Sequence, residues 1–190
     1  MSTRLEDLDL NQSYTYLDYL TWQFKERVEL LRGRLVSMSP APGRMHQEVS
    51  RNVLVAMAVF LKGRPCKVYD APFDVVLSIK DNNTVVQPDI CVICDSEKLT
   101  ERGCTGAPEL IVEILSPGNA KKELKEKFEL YEENGVLEYW IISLSDQSVI
   151  VYRLNENGRY IGSKPFVEGE NVSSGVIQGF EITVAEIFAA

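Results

Sequence analysis

The sequence predicts one α/β (α+β) domain, a mixed central sheet flanked by helices with additional antiparallel hairpins. Three observations predict it. Short runs rich in Val, Ile and Tyr recur from residue 28 to the C-terminus, punctuated by Gly, Pro and Asn, and read as strands. Two stretches, 44–62 and 119–134, carry apolar residues every three or four positions and read as amphipathic helices. One run, PELIVEILS, is almost continuously apolar, as a strand covered on both faces would be.

The elements follow in order. Ser13 to Phe24 has apolar residues at roughly helical spacing and predicts a short helix. VELLRGRLVSM places two apolar runs around Arg32-Gly33, a hairpin, and SPAPGR then breaks the chain. Met45, Val49, Val53, Ala56 and Phe60 form the apolar stripe of the first long helix, which Gly63-Arg64-Pro65 stops. VYDAPFDVVLSI and VVQPDICVICD are strands separated by a turn at Lys80-Asp81-Asn82-Asn83. After PELIVEILS, Ser116-Pro117-Gly118 opens and Gly135 closes the second long helix, Asn119 to Asn134. EYWIISL and SVIVYRL pair across Ser145-Asp146-Gln147, and RYIGSKPFV and GFEITVAEIF complete the domain. No repeat or linker divides residues 1–190. They group as an N-terminal helix and hairpin (1–40), a core (44–145), and C-terminal strands with a short helix (146–190).

Charge narrows the function. Lys plus Arg is 20 against 28 Asp plus Glu, a net charge of −8. That excludes a broadly basic nucleic-acid coat but leaves room for a small basic cleft on an acidic body. The longest apolar run, Val53 to Leu61, is well short of the ~20 residues that span a bilayer. The N-terminal MSTRLEDLDL lacks the pattern of a signal peptide. Cys66, Cys91, Cys94 and Cys104 are too few for a disulfide framework, so a reduced, cytoplasmic setting is expected. Cys91 and Cys94 form a C-x-x-C, but their odd offset on a strand puts them on opposite faces, which argues against zinc.

Candidate chemistry lies where residues violate their local pattern. Glu113 is an acid inside the apolar run PELIVEILS, and Asp89 enters another apolar run in Gln87-Pro88-Asp89-Ile90. A buried carboxylate is costly unless paired or bound to a cation. If the two strands are neighbours, both acids project from one end of the sheet and offer oxygen donors suited to Mg²⁺. The plainer reading is that each lies at a strand end and faces water. On the following helix, Ala120, Leu124, Phe128 and Tyr131 define the buried stripe, with Lys127 on its flank, within about 60° of its centre at 100° per residue. Lys127 could meet a phosphate there, or it could extend its amine to solvent. Lys121, Lys122 and Lys125 fall mostly on outer faces. His46, the single histidine, opens the first long helix beside Gln47 and Glu48. Asp74 reads as a solvent-facing acid on a strand. There is no GxGxxG, P-loop or G-x-S-x-G to support a nucleotide fold or a serine hydrolase.

At these residues the chain resembles the Uma family of restriction-endonuclease-like proteins, within the PD-(D/E)XK nuclease superfamily. The resemblance runs from about Tyr19 to Phe188 through SPAPGRMHQ, APFDVVL, VVQPDICVICD, the long GAPELIVEILSPGNAKKELKEKFELYEENGVLEYWIISL, VYRL and GFEITVAEIF. It implies a restriction-endonuclease-like fold with its nuclease core in 44–145, and Mg²⁺-dependent hydrolysis of DNA phosphodiesters, with Mn²⁺ as a substitute. Pro88-Asp89 matches the PD element and Glu113 the second acid. The usual (D/E)-X-K would place lysine at position 115, where this chain has Leu115. In the family the lysine is thought to have moved to the next helix, where Lys127 is the matching position. His46 and Gln47 also match, with Glu48 a weaker candidate. The resemblance implies Asp89, Glu113 and the Ile114 carbonyl as metal ligands, Lys127 as a charge stabiliser and His46 as a holder of phosphate or water. DNA is the implied substrate, no membrane is involved, and a homodimer is expected because it suits double-strand cleavage. A non-catalytic interaction module on a nuclease fold is the competing expectation.

Overall fold

Two prolines decide how the strands are shared out. The computed structural model describes residues 5, 8–9, 12–24, 26–38, 42–77, 83–115 and 121–190, with side chains from 124 onward in the last stretch. Parts of the expected breaks (39–41, 80–82, 116–118), the expected helix start at Asn119, Ala120, and the Lys121 and Lys122 side chains lie outside the described residues. Along the chain run helix α1 (Tyr16–Thr21), strands β1 (Val28–Leu31) and β2 (Arg34–Ser37), helix α2 (Arg44–Leu61), and strands β3 (Lys67–Asp70), β4 (Asp74–Val76), β5 (Val85–Val86), β6 (Ile90–Ile93), β7 (Gly103–Thr105) and β8 (Leu110–Leu115). Helix α3 (Lys121–Asn134), strands β9 (Glu138–Ser143), β10 (Ser148–Leu154), β11 (Tyr160–Gly162), β12 (Asn171–Ser173) and β13 (Glu181–Thr183), and helix α4 (Val184–Ile187) follow.

VYDAPFDVVLSI and VVQPDICVICD were each expected to be one strand, and each is two. A proline has no N–H to donate to a ladder. At Pro72 and again at Pro88 the chain leaves one sheet for another. β3 and β6 belong to a six-stranded sheet of order β11-β10-β9-β8-β6-β3, while β4 and β5 belong to a five-stranded sheet of order β2-β1-β5-β4-β7. Both sheets are mixed: β8 pairs parallel with β9 and β4 with β7, among antiparallel neighbours. A two-stranded ribbon joins β12 to β13. The predicted hairpins at Arg32-Gly33 and at 145–147 both form, as β1–β2 and β9–β10.

Glycine is required at two of these places. Arg32 and Gly33 both have positive φ (50° and 80°) in the two-residue turn between β1 and β2. Gly103 lets β7 approach β4, because a Cβ there would stand 1.9 Å from the Asp74 carbonyl oxygen.

The six-stranded sheet is covered on both faces, as PELIVEILS predicts. Leu110, Val112 and Ile114 of β8 join one core with Val49, Val53, Met57 and Leu61 of α2 and with the C-terminal strands and α4. Ile111 faces a second core with Leu130 and Tyr131 of α3 and Leu31, Val75 and Val86 of the five-stranded sheet. The buried stripe of α2 is therefore a strict every-fourth row, and Met45, expected in it, is exposed. On α3 the buried residues are Lys127, Leu130 and Tyr131, with Leu124 and Phe128 half-buried, so the packed face is centred nearer Lys127 than the apolar pattern shows. Phe128 turns instead toward Tyr139, Tyr152 and Tyr160 of the β9–β11 strands.

Cysteine usage also differs from the expectation of unbridged thiols. Extending the β3–β6 register from Lys67↔Ile93 sets Cys66 opposite Cys94, and the two form a disulfide. Their separation of 28 residues carries no local signal, since pairing of the strands alone brings them together. Cys91 and Cys104 are free and buried. Cys91 and Cys94 do lie on opposite faces of the sheet. Among the described residues no helix is long and apolar enough to cross a membrane.

Candidate functional site

The antiparallel pairing of β6 with β8 builds the centre. Ile90 is partnered by Val112, so one step further along the register Asp89 stands opposite Glu113. Asp89 occupies the crossing after Pro88, where the chain has left β5 and begins β6. Its Oδ2 accepts the Ile114 backbone N–H at 2.8 Å, which anchors it beside β8. His46, in the first turn of α2, brings Nε2 to 3.3 Å from the same oxygen. Burial works against protonation of His46, but the hydrogen bond to Asp89, the charge of Asp89, the Ile114 backbone carbonyl and the charge of Glu113 outweigh it and hold its pKa above the ordinary value. Its Nδ1 is buried with no hydrogen-bond partner among the described residues.

Glu113 reaches toward α3. Its Oε1 accepts from Tyr131 Oη at 2.6 Å and from Lys127 Nζ at 3.1 Å. Lys127 and Tyr131 are four residues apart on one helix and so reach the same carboxylate together. The Lys127 ammonium is buried, and Glu29 of β1 lies on its other side, with Oε1 at 2.9 Å. Burial raises the Glu113 pKa. Lys127 lowers it, while the charges of Asp89 and Glu29 raise it further, and the balance leaves it at about 7. Burial disfavours a charged Lys127, but Glu113 and Glu29 override this and push its pKa up. Three carboxylates thus converge on one ammonium and one histidine, a local surplus of negative charge.

Lys127 does not extend its amine to solvent, and Glu113 does not face water at a strand end. Glu48 turns away from the centre and pairs with Arg44 at 2.8 Å. Lys125 is exposed and pairs with Glu129 one turn on. Asp74, expected on a solvent face, is half-buried and accepts from Tyr19 Oη at 3.0 Å and Gln87 Nε2 at 2.8 Å. Glu29 and Tyr131 were missed as members of the centre. Glu29 carried no signal, because an acid in a hairpin strand reads as solvent-facing. Tyr131 did carry one, four positions after Lys127.

Beside Asp89 and His46 opens a cleft of about 350 Å³, whose walls include Arg27, Gln47, Ser50, Arg51 and Asp70. Arg27 and Arg51 line this cleft beside the acids Asp70 and Asp89, so its charge is mixed. Among the described residues no group of three or more His, Cys, Asp or Glu side chains is arranged to hold a metal ion. Any cation held here would rest on the two carboxylates and backbone oxygen.

The fold is of the mixed α+β class, with helices on both faces of a mixed sheet. The model of the Uma2 family, described as "Putative restriction endonuclease", matches residues 16–185, and the chain belongs to that family. It is 25% identical over 147 residues to an uncharacterized protein of Synechocystis sp., covering 76% of each chain. Its fold is shared with a crystal structure from Anabaena variabilis, described as "a putative nuclease belonging to DUF820". That likeness has a TM-score of 0.75 at 18% identity and covers 92% of this chain and 97% of the other.

Proposed function

We propose that this protein is a Mg²⁺-dependent endonuclease that hydrolyses DNA phosphodiesters, with Mn²⁺ able to substitute. One observation carries the reading. Asp89 and Glu113 face each other across an antiparallel register, and an ammonium from the next helix stands 3.1 Å from Glu113. Family membership supplies the nucleic-acid substrate class.

The residues suit a hard divalent cation. Among the described residues the hydrogen bonds fall on Oδ2 of Asp89 and on Oε1 of Glu113, leaving Oδ1 and Oε2 as donors. With the Ile114 carbonyl these make an all-oxygen set of the kind Mg²⁺ prefers, completed by water and phosphate. When bound, the cation would supply Lewis-acid polarisation of the phosphate. Lys127 offers positive charge, in a site that excludes water, to the oxygens that gain charge in the pentavalent transition state. His46, whose pKa burial lowers but Asp89 raises above the ordinary value, donates to a phosphate oxygen or orients a water on the α2 side. Arg27 and Arg51 line the cleft and meet neighbouring phosphates, so binding is local and weakens with salt. One centre per chain makes a two-fold dimer the arrangement for cutting both strands.

Calorimetric titration of Mg²⁺ and Mn²⁺ into wild type and Asp89→Ala, with plasmid nicking on the same samples, tests the reading. Metal uptake and nicking are expected in wild type and neither in Asp89→Ala. Lys127→Ala should keep metal uptake and lose nicking by about 10²–10³-fold. A folded wild type that binds no metal and cuts nothing, even with a non-cleavable duplex present during the titration, would overturn the proposal in favour of an interaction module.

A further inference from the structure

We propose that Glu29 is the positioning residue for Lys127, fixing the ammonium against Glu113 with one N–H left for a phosphate oxygen. The inference rests on the nuclease reading of this centre and adds a residue from a different sheet to it. An ammonium on a four-carbon stem is a mobile charge with three donors. Two contacts take two of those donors, Glu29 at 2.9 Å and Glu113 at 3.1 Å. With Glu113 alone, the ammonium could swing about one acceptor. Two acceptors and the helix backbone together fix its place.

Glu29 is itself held still. Its side chain is fully buried, and its Oε1 also accepts the Gln87 backbone N–H at 2.8 Å. The Gln87 side chain is clamped by Arg27 at 2.9 Å, Asp74 at 2.8 Å and Tyr19 at 3.2 Å. Gln87 and Asp89 belong to one crossing between the sheets, so a single short segment registers both Glu29 and Asp89. The other oxygen of Glu29, Oε2, is buried and without a hydrogen-bond partner among the described residues. An oxygen so placed is costly to bury. The charged partner of Glu29 among the described residues is the lysine.

Glu29→Gln tests this with two readouts. The first is the ¹⁵N–¹H signal of the Lys127 ammonium in metal-free protein, assigned by its absence in Lys127→Met. The second is steady-state cleavage of a DNA duplex, with rates counted per folded molecule. The expected result is loss of the slowly exchanging ammonium signal and a fall in kcat of about 10–100-fold, with KM for duplex within about two-fold of wild type. A merely structural role would lower the melting temperature while leaving signal and kcat unchanged, and that result would overturn the proposal. If Glu29→Gln does not fold, Glu29→Asp carries the same test, because it keeps the charge but withdraws it by one methylene. A wild type that cuts nothing sinks the nuclease reading and this proposal together. A wild type that cuts, with a Glu29 variant that cuts equally well, sinks only this one.

Discussion

Glu138, at the start of β9, and Glu113, in the neighbouring β8, are both acids set into apolar strands, and each reaches a different face of the six-stranded sheet. Glu138 is surrounded by donors: Trp140 Nε1 at 2.8 Å serves one oxygen, and Arg153 Nε at 3.0 Å and Gly175 N–H at 2.7 Å serve the other. Glu113 must share Lys127 with Glu29, faces Asp89 as a second negative charge, and has its hydrogen bonds gathered on one oxygen. A buried carboxylate with every lone pair answered is a structural bolt. Buried carboxylates that outnumber their cations hold electrostatic strain, and perturbed groups of that kind gather where chemistry is done.

The strongest way to break this comparison is to neutralise each acid in turn. Glu113→Gln is expected to abolish cleavage, with a fall on the order of 10²–10³-fold, while its unfolding free energy from urea titration stays within about 1 kcal/mol of wild type. Relief of repulsion with Asp89 and Glu29 offsets the loss of the Glu113 charge beside Lys127. Glu138→Gln is expected to do the reverse. It should cost about 3 kcal/mol, since it leaves the donors of Arg153 and Gly175 poorly paired, and leave the cleavage rate of the folded fraction unchanged. Equal effects of the two substitutions on stability would dissolve the distinction.

A pH series sharpens it. Folding moves the Glu113 carboxyl from 4.5 up to about 7, so between those values the metal-free native state holds a proton that the unfolded chain has released. Stability contributed at Glu113 therefore falls as pH rises through that window, and Glu113→Gln removes the slope. His46 adds a second fall. Its folded pKa lies above 6.5, so its contribution is full below 6.5 and is lost as pH rises through the folded value. Urea midpoints from pH 4 to 8 in the presence of a chelator measure both, and His46→Gln should flatten only the upper part. The smallest effect belongs to Glu48, which meets the exposed Arg44 one turn away. Glu48→Ala should change stability by less than about 0.5 kcal/mol and leave cleavage intact. A loss of cleavage would bring the first turn of α2 further into the centre than His46 alone.

Much of the centre was legible because it broke rules that hold over short distances. Glu113 interrupts an apolar run, Asp89 follows a proline at the start of another, and helical phase carries Lys127 toward the packed face. The hairpins at 32–33 and 145–147 were equally local. Glu29 was not legible, since it and Leu31 are buried against α3 only once the five-stranded sheet docks there, while Leu30 packs on the N-terminal aromatic residues. The disulfide between Cys66 and Cys94 depends on strand register in the same way. The division of strands between two sheets was half-written: the prolines were visible, but a proline marks a break in a ladder and not the sheet in which the chain resumes. The parallel pairing of β4 with β7 had no signal in so short a run as Gly103–Thr105.

The two crossings at Pro72 and Pro88 bear on when, on the nuclease reading, the proposed centre comes together. Asp89 rides on one crossing, Lys127 waits on α3 for Glu29 from the far sheet, and β8 needs β9, which is synthesised after all of them. A nascent or half-folded chain therefore carries the acids, the lysine and the histidine as scattered, solvated side chains with ordinary reactivity. On the nuclease reading, any cutting power would then arrive only with completion of the fold, and topology alone would keep the chain disarmed during its own manufacture.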